Sequence, residues 1–190
     1  MIIALSSAAA PSASLDELVE AAARRGLTAV HLIAGHGHGL TAGSTDLEID
    51  EALATAGALH VEIAGFETPV ADGDGVARIC RRLGAKHITG SLVLDASREN
   101  VSDALTPLID LHPNIDYITL RGGGPEGAQF EGRGIGALMA RLALMNYRGV
   151  LVLAPSSDAV LPVWRVWLGR GRNWGCGSKA ADPSLVQLGS

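Results

Sequence analysis

Short apolar segments alternate with amphipathic ones along this chain, and that alternation limits the folds it can adopt. The clearest unit begins at Ser14, which forms a capping-box pair with Glu17. The spacing of apolar residues then predicts a helix over 15–25. Residues 29–34 follow as an apolar run interrupted only by His31, as expected of a strand covered on both faces.

The same strand-to-helix unit recurs about six times, at roughly 30 residues per unit, which is the period of a βαβ repeat. The predicted strands cover residues 1–6, 29–34, 60–64, 86–89 with an extension toward 94, 116–120 and 150–154. Such an order predicts a parallel sheet with helices outside it. Two architectures fit, a closed barrel and an open doubly wound sheet, and both bind ligands at the carboxyl ends of the strands.

The composition is that of one globular domain. The 190 residues are 47% apolar and 18% charged, and no apolar run reaches the length of a membrane span. We assign 1–168 to a single α/β domain and 169–190 to a Gly/Arg-rich tail. A net charge of −5 gives no support for binding to nucleic acid or membranes. Two cysteines form neither a disulfide framework nor a zinc site, so a cytoplasmic location is the default expectation.

Several stretches resemble the xylose-isomerase-like barrels, a superfamily of sugar and sugar-phosphate isomerases and epimerases that also includes an abasic-site endonuclease. Residues 14–32 look like the family's first helix and second strand, 83–88 like its fourth unit, and 117–154 like its last two strands with the helix between them. A complete barrel has about 250 residues and eight strands. The resemblance therefore implies a shortened TIM-barrel-like fold with about six βα units and parallel strands.

The chain departs from this family at the positions of the family's metal ligands. The family often carries a glutamate where His31 stands, a histidine near Thr119, an aspartate near Gly122 and a glutamate where this chain has Ala154. The two missing units would supply further ligands. The resemblance thus implies a barrel that lacks most of the usual divalent-metal site.

Polar residues on neighbouring predicted strands form a candidate catalytic cluster. Alternation along the strands places His31, Glu62 and His87 toward the barrel interior, together with His60. Imidazole exchanges protons near neutral pH and a carboxylate can orient it, so the first three residues are candidates for acid–base catalysis. A hydrogen-bonded polar core without chemistry explains the same pattern.

Two histidines alternate with glycines directly after the second predicted strand. His36 and His38 could ligate a divalent metal, with Glu67 or Glu62 as a third ligand. Zinc, manganese and nickel accept imidazole and carboxylate ligands together. The spacing is unspecific, and two solvated histidines in a glycine loop fit it as well. No other cofactor is indicated.

Glycine-rich segments after the fifth predicted strand form a candidate anion site. Backbone N–H groups around Gly123 and Gly134 suit a phosphate at the start of a helix, and Arg121 and Arg133 would add positive charge. The spacing matches neither the P-loop nor the dinucleotide fingerprint. A plain glycine-rich turn accounts for it equally.

A subunit contact is predicted from two features. Trp164, Trp167 and Trp174 lie among arginines, and in an acidic chain such aromatic residues favour a protein interface over nucleic acid. The missing units also force strand four and the strand at Tyr117 either to pair in a smaller barrel or to leave open edges, which other chains often cover. We therefore expect a homo-oligomer.

The sequence as a whole predicts a sugar-phosphate isomerase/epimerase-like protein that moves a proton on a small hydroxylated or phosphorylated substrate. His31, Glu62 and His87 would carry the acid–base work, and Arg121 or Arg133 would hold an anion. The alternative is a catalytically degenerate barrel that serves as a binding or assembly subunit, which the loss of acidic ligands favours.

Overall fold

The computed structural model describes residues 1–68, 73–87, 91–95, 117–122 and 142–155. The strands are β1 Ile2–Ser6, β2 Ala29–Ile33, β3 Glu62–Glu67, β4 Lys86–His87, β5 Ser91–Asp95, β6 Tyr117–Gly122 and β7 Val150–Pro155. The helices are α1 Leu15–Arg24, α2 Asp46–Ala58 and α3 Gly73–Leu83, with a short 3-10 helix at Ser7–Ala9. The predicted helices over 98–111 and 158–168, and the predicted tail, lie outside the described residues.

Local sequence signals fix the N-terminal ends of the first two helices. The hydroxyl of Ser14 accepts the backbone N–H of Glu17, and the Glu17 carboxylate accepts the backbone N–H of Ser14, which completes the predicted capping box. Thr45 and Glu48 cap α2 in the same way. Within the described ranges, no helix is long and apolar enough to cross a membrane.

All strand pairs in the sheet are parallel, and the strand order is β4-β3-β2-β1-β7-β6-β5. β4 and β5 stand at opposite ends of this order, yet only three residues separate them in the chain. That connection reaches at most about 14 Å. Seven strands laid flat would set the two edges about 29 Å apart. The sheet therefore curls until β4 and β5 meet.

Closure makes β4 and β5 two halves of one strand position. β4 pairs with β3, whereas β5 pairs with β6 over all five of its residues. The result is a shortened TIM-barrel-like α/β fold with six strand positions, as predicted. Strand four and the strand at Tyr117 are thus paired in the smaller barrel. Open edges at these two strands therefore no longer support an oligomer, and the homo-oligomer stays a prediction.

The core divides into two layers on either side of the barrel wall. The outer layer packs large aliphatic side chains of the strands against the helices, and its buried members include Leu5, Val30, Leu32, Ile63, Phe66, Ile79, Ile118 and Leu151. The inner cluster is mostly small, and consists of Ala4, Ala29, Ala64, Tyr117, Val150 and Val152. Because a barrel narrows as strands are removed, an interior of six strands has room for little more than these residues.

Candidate functional site

Polar side chains replace the small apolar ones toward the carboxyl ends of the strands. Along β1 and β2, the inward positions run from Ala4 to Ser6 and from Ala29 to His31, and Ser6 pairs in register with His31. Ser6 and His31 are both almost fully buried. Since ligands of parallel α/β barrels bind at this end, these residues define the candidate site.

The hydrogen bonds of His31 determine which ring nitrogen carries the proton. The Nδ1 atom of His31 lies 3.3 Å from Oγ of Ser6, and that oxygen already accepts the backbone N–H of Ala8 at 3.1 Å. Among the described residues, Nδ1 of His31 is the only acceptor within hydrogen-bond distance of the buried Ser6 hydroxyl, so the hydroxyl hydrogen is donated to Nδ1. His31 is therefore assigned as the tautomer protonated at Nε2.

The Nε2 atom of His31 is buried and has no hydrogen-bond partner among the described residues. Oε2 of Glu67 lies 3.6 Å away, which is beyond hydrogen-bond distance. The imidazole is 1% exposed, whereas the Glu67 side chain is 35% exposed and so borders both the buried ring and solvent. An unsatisfied buried N–H costs about 1–3 kcal/mol, so an acceptor oxygen from a ligand would be stabilised at this position.

His31 is uncharged at neutral pH. The pKa of His31 is lowered from 6.5 to about 4, mainly by burial and also by the neighbouring charges of His36 and His38. The contact with Glu67 is consequently not an ion pair. It sets a neutral N–H donor beside a carboxylate.

A glycine and a tyrosine form the wall beneath the imidazole. Gly65 pairs in register with His31, and a Cβ atom on Gly65 would lie 3.0 Å from Cδ2 of His31 and 2.9 Å from Cε1 of Tyr117. The Tyr117 hydroxyl donates to the backbone oxygen of Ala64 at 2.7 Å. Only glycine leaves room for both rings inside the barrel.

The structure corrects the prediction that Glu62 lies beside His31. Glu62 is the first residue of β3, is exposed, and pairs in register with Ala29 at the amino end of the barrel. A β-bulge then shifts the register, because Val30 pairs with Ile63 whereas His31 pairs with Gly65. The glutamate that approaches His31 is Glu67.

His60 does not point into the barrel either. It precedes β3 in the turn after α2, where it is exposed and has a left-handed φ of 55°. His87 lies in β4, in register with Phe66, and Arg121 lies near the carboxyl end of β6, in register with Ala154. Gly123, Arg133 and Gly134 lie outside the described residues.

The loop after β2 uses its two histidines for internal hydrogen bonds. Nε2 of His38 donates to the backbone oxygen of Ile33 at 2.8 Å, and its Nδ1 accepts the backbone N–H of Leu40 at 3.1 Å. Both nitrogens of His38 are therefore occupied. Burial lowers the pKa of His38, which keeps this ring neutral. Nδ1 of His36 lies 2.9 Å from the Ser7 hydroxyl.

These hydrogen bonds argue against the predicted metal site, because they occupy nitrogens that would have to bind the metal. In the part of the chain that the structure describes, no three His, Cys, Asp or Glu side chains are grouped so that they could hold a metal ion. His36, His38 and Glu67 are all in that part. The loop is also not a solvated glycine segment, since Gly37 donates its N–H to the backbone oxygen of Pro11 at 2.7 Å.

Sequence reasoning missed four residues of this site: Ser6, Ser7, Gly65 and Tyr117. Two serines at the end of a predicted strand were a usable signal, because polar residues at strand ends of a parallel barrel often face the ligand. Gly65 and Tyr117 gave no comparable signal. Their importance depends on a contact between β3 and β6 that becomes visible only in the folded barrel.

Together these features define the class of protein as a parallel α/β barrel, whose described strands occupy six positions, with a polar, partly buried site at the carboxyl ends of its first three strands. No protein-family model matches the chain, and no curated protein matches it.

Solved structures are similar to the chain in fold. An uncharacterised protein from Parabacteroides distasonis is 12% identical, with a TM-score of 0.65, over 88% of this chain and 96% of that one. This similarity shows a shared fold. A xylose isomerase domain-containing protein from Salmonella typhimurium is 13% identical over 90% of this chain and 96% of that one. Its TM-score of 0.47 is too low to support a conclusion.

Proposed function

We propose that the chain is an isomerase/epimerase-like enzyme that moves a proton on a small hydroxylated carbonyl compound, free or phosphorylated. The observation that carries this proposal is the buried Nε2 of His31, which has no hydrogen-bond partner among the described residues and lies 3.6 Å from Oε2 of the partly exposed Glu67. A donor and a base side by side at the ligand end of a barrel suit proton abstraction next to a carbonyl group.

The two side chains take complementary roles in this reaction. Glu67 removes a proton from the carbon next to the carbonyl, and the electron pair moves onto the carbonyl oxygen. The Nε2–H of His31 donates a hydrogen bond to that oxygen and stabilises its developing charge. Returning a proton to the opposite face of the same carbon gives an epimer. Returning it to the neighbouring carbon, with a proton moved between the two oxygens, gives an isomer.

The neutral state of His31 suits this role. A neutral imidazole donates to the oxygen without the positive charge that would weaken the adjacent carboxylate as a base. Other proton-transfer enzymes divide the work in the same way between a glutamate base and a histidine kept neutral by its surroundings.

The test is hydrogen–deuterium exchange at carbon, followed by proton NMR in D2O with a panel of small aldoses and ketoses and their phosphates. We expect the protein to catalyse incorporation of deuterium next to the carbonyl group. Glu67→Gln should slow this by about 10²- to 10⁴-fold, because it removes the base. His31→Gln should slow it by about 10²-fold or more.

Glu62→Gln is the matched control. It makes the same change on the same strand, but at the exposed amino end of β3, so exchange should stay at the wild-type rate. Equal losses in Glu62→Gln and Glu67→Gln, or a folded Glu67→Gln variant with full activity, would refute the assignment of the base.

A second candidate function is a binding or assembly subunit without catalysis. It is favoured by the hydrogen bonds that occupy both nitrogens of His38 and one nitrogen of His36, since these rings then hold a loop. Absence of exchange with the whole panel, combined with a stable oligomer by light scattering across micromolar concentrations, would select this function.

A further inference from the structure

Two adjacent serines at the end of β1 hold two histidines by the same arrangement. Ser6 receives a backbone N–H from Ala8 and lies against Nδ1 of His31. Ser7 receives the backbone N–H of Ile33 at 2.9 Å and lies 2.9 Å from Nδ1 of His36. In each case, the serine hydroxyl accepts a backbone N–H and also forms a hydrogen bond with an imidazole nitrogen.

The arrangement at Ser7 determines the tautomer of His36. The Ser7 hydroxyl is 2% exposed, and among the described residues Nδ1 of His36 is the only acceptor within hydrogen-bond distance of it, so its hydrogen is donated to Nδ1. A neutral His36 ring therefore carries its proton on Nε2. The serine contact thus selects the same tautomer in both rings.

Both histidines lie toward the carboxyl end of β2. His31 is the third residue of this strand, and the backbone N–H of His36 donates to the backbone oxygen of Ile33, the last residue of the strand, at 3.2 Å.

We propose that Ser6 and Ser7 are positioning residues that fix His31 and His36 in the same tautomer, so that each ring keeps an Nε2–H to donate to an acceptor oxygen of a ligand. This inference rests on the proposed function for the identity of the ligand. The tautomers themselves are independent of any catalytic activity.

The test is long-range proton–nitrogen NMR on protein labelled with ¹⁵N-histidine, because the nitrogen shifts distinguish the tautomers directly. In the wild-type protein at neutral pH, we expect His31 and His36 to be protonated at Nε2, with an unprotonated Nδ1. In Ser7→Ala, the His36 Nδ1 resonance should move downfield because its hydrogen bond is lost, whereas His31 should not change.

Two further variants separate this effect from a general disturbance of the loop. Ser7→Thr keeps a hydroxyl and should restore the His36 resonance. Ser12→Ala changes an exposed serine in the loop between β1 and α1 and should leave it unaltered. A proton on Nδ1 of either histidine in the wild-type protein, or an unchanged His36 resonance in Ser7→Ala, would overturn the proposal.

The rate of deuterium exchange provides the functional measurement. We expect Ser7→Ala to slow exchange by about 3- to 10-fold, the worth of one neutral hydrogen bond, and Ser7→Thr to recover most of it. A full rate in Ser7→Ala would overturn the role of His36 as a donor. Absence of exchange in the wild-type protein would refute the proposed function instead, while the NMR reading of the two tautomers would still decide the serine–histidine arrangement.

Discussion

Replacing Gly65 with alanine tests the packing of the barrel interior beneath the candidate site. The added Cβ would lie 2.9 Å from Cε1 of Tyr117, 3.0 Å from its hydroxyl oxygen and 3.0 Å from Cδ2 of His31. These distances are shorter than normal carbon contacts, and both neighbouring rings are almost fully buried. At least one ring must therefore move.

The expected cost has two parts. Overpacking of a filled core by one methyl group costs about 1–3 kcal/mol. If the tyrosine ring moves, its 2.7 Å hydrogen bond to the backbone oxygen of Ala64 is weakened as well, at a cost of about 1 kcal/mol. We expect Gly65→Ala to lower the free energy of unfolding by about 2–4 kcal/mol, which corresponds to a fall in Tm of roughly 5–15 °C for a chain of this size.

The assay is thermal and denaturant unfolding followed by circular dichroism, with Gly57→Ala as the matched control. Gly57 lies in α2, and a Cβ added there would meet no atom within 4 Å. The same substitution at this helical position should stabilise the protein by about 0.5–1 kcal/mol. We therefore predict that Gly65→Ala lowers the free energy of unfolding and that Gly57→Ala raises it. A Gly65→Ala variant within about 0.5 kcal/mol of wild type would refute the packing argument.

Three further predictions concern pH, the histidine loop and the helix surface. Because burial lowers the pKa of His31 to about 4, the unfolded chain binds its proton first as pH falls from 6.5, so this residue should lower the free energy of unfolding by up to about 3 kcal/mol by pH 4. NMR titration should show a ring that is neutral at pH 6 and reaches half protonation only near pH 4. Gly37→Ala would place a Cβ against the backbone oxygen of Ser12 and should cost about 1–3 kcal/mol by thermal unfolding, whereas Gly43→Ala, with its nearest atom at 3.8 Å, should be nearly neutral. Arg82→Ala removes exposed ion pairs to Asp46 and Asp50, so its small effect on Tm should disappear at high salt.

The position of the acidic group shows how far strand alternation can be used. Alternation correctly placed His31 inside the barrel, because β2 is regular on both sides of this residue. The same counting did not put Glu62 beside His31, because Glu62 pairs with Ala29 at the amino end of β3, and the bulge that follows brings Gly65 rather than Ala64 opposite His31. A bulge depends on how two strands pair, and no local pattern within β3 predicts it.

The metal hypothesis failed for a related reason. The spacing of His36 and His38 says only that two imidazoles lie close together in the chain. The folded loop shows that their nitrogens already bind Ser7, Ile33 and Leu40. Which partners a side chain finds depends on the strands and loops around it, and these are distant in sequence.

The sequence by itself determined the order of strands and helices, the parallel direction of the sheet and the capping of α1 and α2. These features depend on interactions between residues a few positions apart, such as the apolar period and the hydrogen bonds of a capping box. The tertiary structure alone decided that six strand positions close the barrel, that Glu67 rather than Glu62 lies beside His31, and that Gly65 must lack a side chain. Each of these depends on groups that meet only when β1, β2, β3 and β6 surround a common interior.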